Sequence, residues 1–226
     1  MNRRRLLGGV GTATATWLAG CSAILDDGPD GVVLDPQPDQ VADSEDLSYP
    51  AYGEPFPSVE LPDPLSGESI DVAALDRTAL ATAIFTFCPA ECGILLNQLV
   101  GVQGMLDEDG LTDDVAFLPI TFDPERDDAD ALRENAETIG VDLSLSNWRY
   151  LRPETPAEAE EVVEGQLGIG FERTTESDRI EGYDFAHAVV TFLVNPDGVV
   201  ERAYRGENLD RNRVVEDVTE VVDGFR

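Results

Sequence analysis

The sequence predicts an α/β domain with a mixed central sheet flanked by helices and a hairpin at its N-terminal side. Three observations carry this. Apolar runs of strand character at 79–87 and 115–122 alternate with segments of helical periodicity. A third run at 188–194 is followed by Asn195-Pro196-Asp197-Gly198 and a further strand at 199–205, a strand–turn–strand that adds antiparallel pairing. Ahead of these, 56–63 and 67–72 alternate apolar and polar residues around a Pro/Gly turn, which reads as a small hairpin.

The elements follow in order. Phe85 and Phe87 at alternate positions, after Ala79, Leu80 and Ala81, mark the first core strand. Pro89 suits a first helical turn, and Ile94, Leu95, Leu99, Val102 and Leu106 form one apolar face, so a helix is expected over 93–106. The strand 115–122 runs into Asp123-Pro124-Glu125-Arg126-Asp127, where Asp127 is expected to cap a helix over 129–139. A short strand at 147–151, a helix at 156–167, and a closing helix at 210–222 lined by Val214, Val215, Val218, Val221 and Val222 complete the set. This is the element order of a thioredoxin-like fold. Trp148 and the Phe residues are read as core.

The chain has 226 residues, with 46 acidic against 15 basic residues and a net charge of −31, and every basic residue other than His187 is Arg. Acidity of this strength excludes a nucleic-acid partner, and its spread along the chain suits a surface adapted to high salt, hence a halophilic source. No Gly-rich phosphate loop, Ser-hydrolase elbow or internal repeat is present.

Residues 1–20 begin with Arg3-Arg4-Arg5 and continue as a small-residue apolar stretch too short to span a bilayer comfortably, the order of a twin-arginine export signal. Leu18-Ala19-Gly20-Cys21 resembles a lipobox, which makes Cys21 the lipidation site; the competing reading is a free or disulfide-bonded cysteine. Residues 21–48, rich in Asp, Pro and Gly, read as a flexible acidic tether to a domain over 49–226, on the extracytoplasmic face of the membrane.

The chemistry centres on Cys88 and Cys92, four apart at the passage from strand to helix. In a first helical turn they share a face, and the positive end of the helix favours thiolate. Such a pair binds a soft metal, exchanges disulfides, or forms a static disulfide. His187, the only histidine, stands before the run 188–194. Two thiolates and an imidazole suit copper; zinc also accepts these donors but usually takes a fourth ligand or an open position.

Taken together, Phe85-Thr86-Phe87-Cys88-Pro89-Ala90-Glu91-Cys92, Thr121-Phe122-Asp123-Pro124-Glu125-Arg126-Asp127, and Tyr183 through His187 leading to Phe192-Leu193-Val194-Asn195-Pro196-Asp197-Gly198 resemble the Sco/SenC family of thioredoxin-like, membrane-tethered copper proteins. The resemblance covers roughly residues 56–225 and departs from the family pattern at Phe87, Gly93 and Ala186. It implies that Cys88, Cys92 and His187 ligate one copper ion, Cu(I) or Cu(II), with Asp123 and Asp184 nearby in support. It also implies delivery of copper to a haem-copper (cytochrome c) oxidase subunit, and a thiol reductant that keeps the pair open. On this reading the chain is a binder and donor that needs no turnover. The alternative is an enzyme, a membrane-anchored thiol:disulfide oxidoreductase acting through Cys88 and Cys92.

Overall fold

The structure, a computed structural model, describes residues 29–88, 90–175 and 182–226. The expected export signal, Cys21 and Pro89 lie outside the described residues. In chain order the elements are β1 (Glu60–Pro62), β2 (Ser69–Asp71), β3 (Thr78–Ile84), α1 (Glu91–Glu108), β4 (Val115–Thr121), α2 (Ala129–Ile139), α3 (Pro156–Ala159, continued in π-helical turns over Glu160–Gln166), β5 (Phe171–Thr174), β6 (Asp184–His187), β7 (Val190–Val194), β8 (Val200–Arg205) and α4 (Arg211–Gly224).

The central sheet has the order β4-β3-β7-β8. All residues of β3, β4 and β7 are buried, which explains why these runs are continuously apolar rather than alternating: the sheet is covered on both faces. β3 pairs in parallel with β4, from Thr78 opposite Val115 to Ile84 opposite Thr121, and antiparallel with β7. The segment expected as a short strand at 147–151 runs parallel along the outer edge of β4, through bridges Phe117–Trp148 and Ile120–Leu151. The predicted hairpin is β1–β2, with Leu61 opposite Ile70.

This topology places the site. β3 and β4 finish together, so residues 85–88 and 122–127 leave the sheet at the same end. β7 runs the other way, with Thr191 opposite Thr82, so the chain leading into it, His187 included, arrives at that end too. Three segments far apart in sequence therefore meet beyond the carboxyl ends of the parallel strands, where ligands of open α/β sheets gather.

Three expectations are corrected. His187, expected at the entry of the apolar strand, is three residues ahead of β7 as the last residue of a strand of its own, β6, which pairs with β5 in a separate two-stranded sheet, Phe171 opposite His187. The first core strand stops at Ile84, and Phe87 is 47% exposed rather than core. The stretch read as a solvated tether is, in its second part, held against the domain. Leu34 is buried, the buried Glu201 carboxylate accepts from Val33 N–H at 2.9 Å and Leu34 N–H at 3.0 Å, and Tyr52 Oη donates to Leu34 O at 2.7 Å.

The same segment shields the edge of β8. The Gln37 amide donates to Ala203 O at 3.3 Å and accepts from Ala203 N–H at 3.1 Å, standing in for a neighbouring strand's backbone. Farther along, Ser48 passes so close to Gly168, whose φ is +65°, that a Cβ there would lie 1.6 Å from Ser48 O. Among the described residues, no helix is long and apolar enough to cross a membrane.

Candidate metal centre

Cys88 follows a turn closed by its own N–H donating to Phe85 O at 3.3 Å, and α1 starts three residues later, so Cys92 lies in the first helical turn while Cys88 stands just outside it. The helix N-terminus has no oxygen cap from Ala90. Cys88 Sγ takes that place, accepting the N–H of Cys92 at 3.4 Å. One sulfur is thus aimed at the helix by the same unpaired N–H groups that favour negative charge there.

His187 Nε2 lies 3.6 Å from Cys92 Sγ, and the three ligand atoms of Cys88, Cys92 and His187 all lie within 4.8 Å of one another. Nδ1 faces Ala188 O at 3.0 Å. A carbonyl only accepts, so Nδ1 carries the proton and the Nε2 lone pair is left pointing at the sulfurs, the tautomer a metal ligand needs. The ring is held by Phe85, edge-to-face at 6.0 Å, and by Phe122 at 5.1 Å. Phe171 and Phe185 pack against Phe122 in turn, so the site has apolar walls that keep the imidazole in place.

The two sulfurs are unequal. Cys92 is buried and Cys88 half-buried, and both are free thiols in the structure rather than a disulfide. The Cys92 thiol donating to Cys88 holds Cys88 down to about 4, with help from the Cys92 backbone N–H and against burial. The same contact, reinforced by burial, pushes Cys92 well above the ordinary thiol value. The pair therefore carries one thiolate and one shared proton, and a soft cation entering between them displaces that proton.

The expected supporting carboxylates act elsewhere than on the imidazole's Nδ1. Asp123, buried, accepts from Arg126 Nε at 2.5 Å and Tyr183 Oη at 2.8 Å, while Arg126 Nη1 donates to Tyr183 O at 2.8 Å. The Arg126 guanidinium lies 3.7 Å from the Tyr183 ring centroid, between that ring and Phe87. Asp123 thus anchors the start of the strand that carries His187, four residues upstream. Asp184, also buried, accepts from Phe185 N–H at 2.8 Å.

Asp127 does not cap α2. Asp128 does, accepting from Asp130 N–H at 3.0 Å and Ala131 N–H at 2.9 Å. Asp127 is instead fully buried and accepts from Thr86 N–H at 3.1 Å and from the hydroxyls of Thr86 and Thr121. It ties the turn before Cys88 to the end of β4. Sequence reasoning missed this tie and the β5–β6 hairpin. The alternation of Phe171 and Arg173 opposite His187 and Phe185 was the available signal for the hairpin; the two threonines carried none.

The sequence profile of SCO1/SenC matches residues 65–223, most of the chain and all three candidate ligands. The chain belongs to the SCO1/SenC family. Among curated proteins, a zebrafish (Danio rerio) mitochondrial SCO2 homologue is 34% identical over 124 residues, 51% of this chain and 38% of that protein, so the chain spans well under half the length of that relative. A SCO1/SenC family lipoprotein from Bacillus anthracis superposes with a TM-score of 0.63 at 17% identity, covering 74% of this chain and 94% of that one. Arabidopsis thaliana ScoI, solved with copper bound, gives 0.58 at 22% identity, covering 76% and 99%. These likenesses establish the thioredoxin-like fold, in which the β5–β6 hairpin carries His187 to the cysteine pair.

Proposed function

We propose that this family member is an extracytoplasmic copper metallochaperone, lipid-anchored through Cys21, that holds one copper ion at Cys88, Cys92 and His187 and delivers it to the copper-accepting subunit of a haem-copper oxidase. The observation that carries the reading is the meeting, within 4.8 Å, of two sulfurs and an imidazole whose Nε2 is free. Two soft sulfurs and one nitrogen are the donor set that copper accepts in either oxidation state. The copper-bound plant relative of the same fold supports the choice of metal. Cys88 and His187 are half-buried and Cys92 is buried, so an incoming client ligand reaches the metal from the Cys88 and His187 side and Cys92 releases last.

The test is titration of the reduced chain with Cu(I) against a competing chelator. One tightly held copper per chain is expected. His187→Ala should weaken binding by more than the roughly 10- to 100-fold that loss of a supporting residue costs. Copper binding unchanged in that variant would sink the reading. Transfer to an isolated copper-accepting oxidase domain, followed by that domain's absorption, tests delivery.

The inequality of the cysteines favours a second reading, thiol:disulfide exchange. The Cys88 thiolate attacks a client disulfide and releases one client thiolate; Cys92, giving up its proton, then displaces the second client sulfur, leaving Cys88 and Cys92 joined and the client reduced. A thiol reductant resets the pair. This route has no use for His187, so client reduction that persists in His187→Ala, with no copper bound by the parent chain, selects it.

A further inference from the structure

Glu91 stands between the two cysteines in sequence and opens α1. An acidic residue in a first helical turn is ordinary, since the helix dipole favours it there. Its direction is less so. The side chain folds back so that Oε2 lies 3.7 Å from Cys88 Sγ. Among the described residues that sulfur is the one polar partner of the Glu91 side chain, and sulfur is a weak hydrogen-bonding group that gives little return for fixing a long side chain.

The distance fits a different role. Two ligands of one tetrahedral metal ion, a sulfur at about 2.3 Å and an oxygen at about 2.0–2.2 Å, stand roughly 3.5 Å apart. The Cys92 Sγ to His187 Nε2 edge, 3.6 Å, and the Cys88 Sγ to Glu91 Oε2 edge, 3.7 Å, both have that length. Glu91 nonetheless stands outside the set of three that converge within 4.8 Å, touching Cys88 alone. It is half-buried, with three rotatable bonds between the helix and the carboxylate.

We propose that Glu91 is a fourth, oxygen donor to the Cys88–Cys92–His187 site, engaged by the harder Cu(II) and left aside by Cu(I), so that it sets which oxidation state the site retains. The inference rests on the copper reading above. Cu(I) is satisfied by two or three soft donors, whereas Cu(II) prefers four ligands that include nitrogen or oxygen. Closure by Glu91 fills the position that Cys88, Cys92 and His187 leave open. Its release on reduction returns an open three-ligand site from which a client can draw the metal.

The experiment uses the full reduced chain without oxygen, loaded with Cu(II) or with Cu(I), and compares parent with Glu91→Gln and Glu91→Ala. Both variants should lower the ratio of Cu(II) to Cu(I) affinity by at least about 10-fold, the lower end of what loss of even a supporting residue costs. The Cu(II) electron paramagnetic resonance spectrum should shift with loss of an oxygen ligand. Identical spectra and an unchanged affinity ratio overturn the inference while leaving the copper site standing, as does an equal weakening of both oxidation states, which would mark Glu91 as merely structural. A parent chain that binds neither form overturns the copper reading and this inference together.

Discussion

Thr86 presents both its backbone N–H, at 3.1 Å, and its hydroxyl to the carboxylate of Asp127, which Thr121 completes from the neighbouring strand. Burial, the dominant influence and stronger than these hydrogen bonds, pushes Asp127 up to about 6 from an ordinary 3.8. For an acid whose folded-state value is raised, the stabilisation is complete below the unfolded value and is lost as pH rises through the folded one. The metal-free chain therefore loses about 2 kcal/mol from this group between pH 4 and pH 7. Asp127→Asn, whose amide pairs with threonine hydroxyls that can turn to accept, should remove that slope. The check is the difference in melting temperature between the two proteins across this range; parallel curves would refute it.

Cys88 titrates at about 4 where an ordinary thiol sits near 9, because the Cys92 thiol donates to it. Alkylation of the reduced, metal-free chain should accordingly be flat from pH 5 to 8 and fall only toward pH 4, with the label on Cys88 and the buried Cys92 spared. Mass spectrometry of the labelled peptides reads both. A rate that climbs toward pH 9 would show that the proton is not shared as described.

Leu34 links the docked N-terminal segment to the domain, buried beside Glu201. Leu34→Ala should cost about 2–4 kcal/mol in a denaturant titration, as for other fully buried leucines. Glu201→Gln should cost about 1–3 kcal/mol, since both carboxylate oxygens accept, from Val33 and Leu34 N–H and from the Asn195 amide, and either orientation of the new amide sets its N–H₂ against one of these donors. If neither substitution changes stability by more than a few tenths, the segment is not docked in solution.

Salt should act through the net charge of −31. Exposed pairs such as Arg213 with Asp39 at 2.8 Å weaken in salt but are worth about 0–1 kcal/mol each. Repulsion among the excess carboxylates is screened as the Debye length falls from about 30 Å at 0.01 M to about 3 Å at 1 M. The second effect is larger here, so the melting temperature should rise with potassium chloride. Dialysis to dilute buffer with unchanged circular dichroism would contradict it, and with it the halophilic reading.

Much of the fold was legible because its signals are local. The apolar runs of β3, β4 and β7, the Asn195–Gly198 turn and the valine face of α4 are repeats readable within a few residues. β5 and β6 were missed for the opposite reason: four residues each, they take their strand conformation from pairing across an intervening segment rather than from their own pattern.

By itself the sequence determined the order of the longer elements, the acidic character and the three soft donors Cys88, Cys92 and His187, since residue type and spacing are written in it. The tertiary structure alone decided how those donors are used. It brought a histidine 95 positions away to 3.6 Å from Cys92 and turned its Nδ1 to a carbonyl. It assigned the cap to Asp128 and the buried tie to Asp127, adjacent carboxylates that only burial distinguishes. It also laid residues 33–37 along β8 and aimed Glu91 at Cys88. Each of these depends on which surfaces meet across the sheet, and the free energy of such contacts comes from desolvation and pairing between distant segments, which local patterns do not encode.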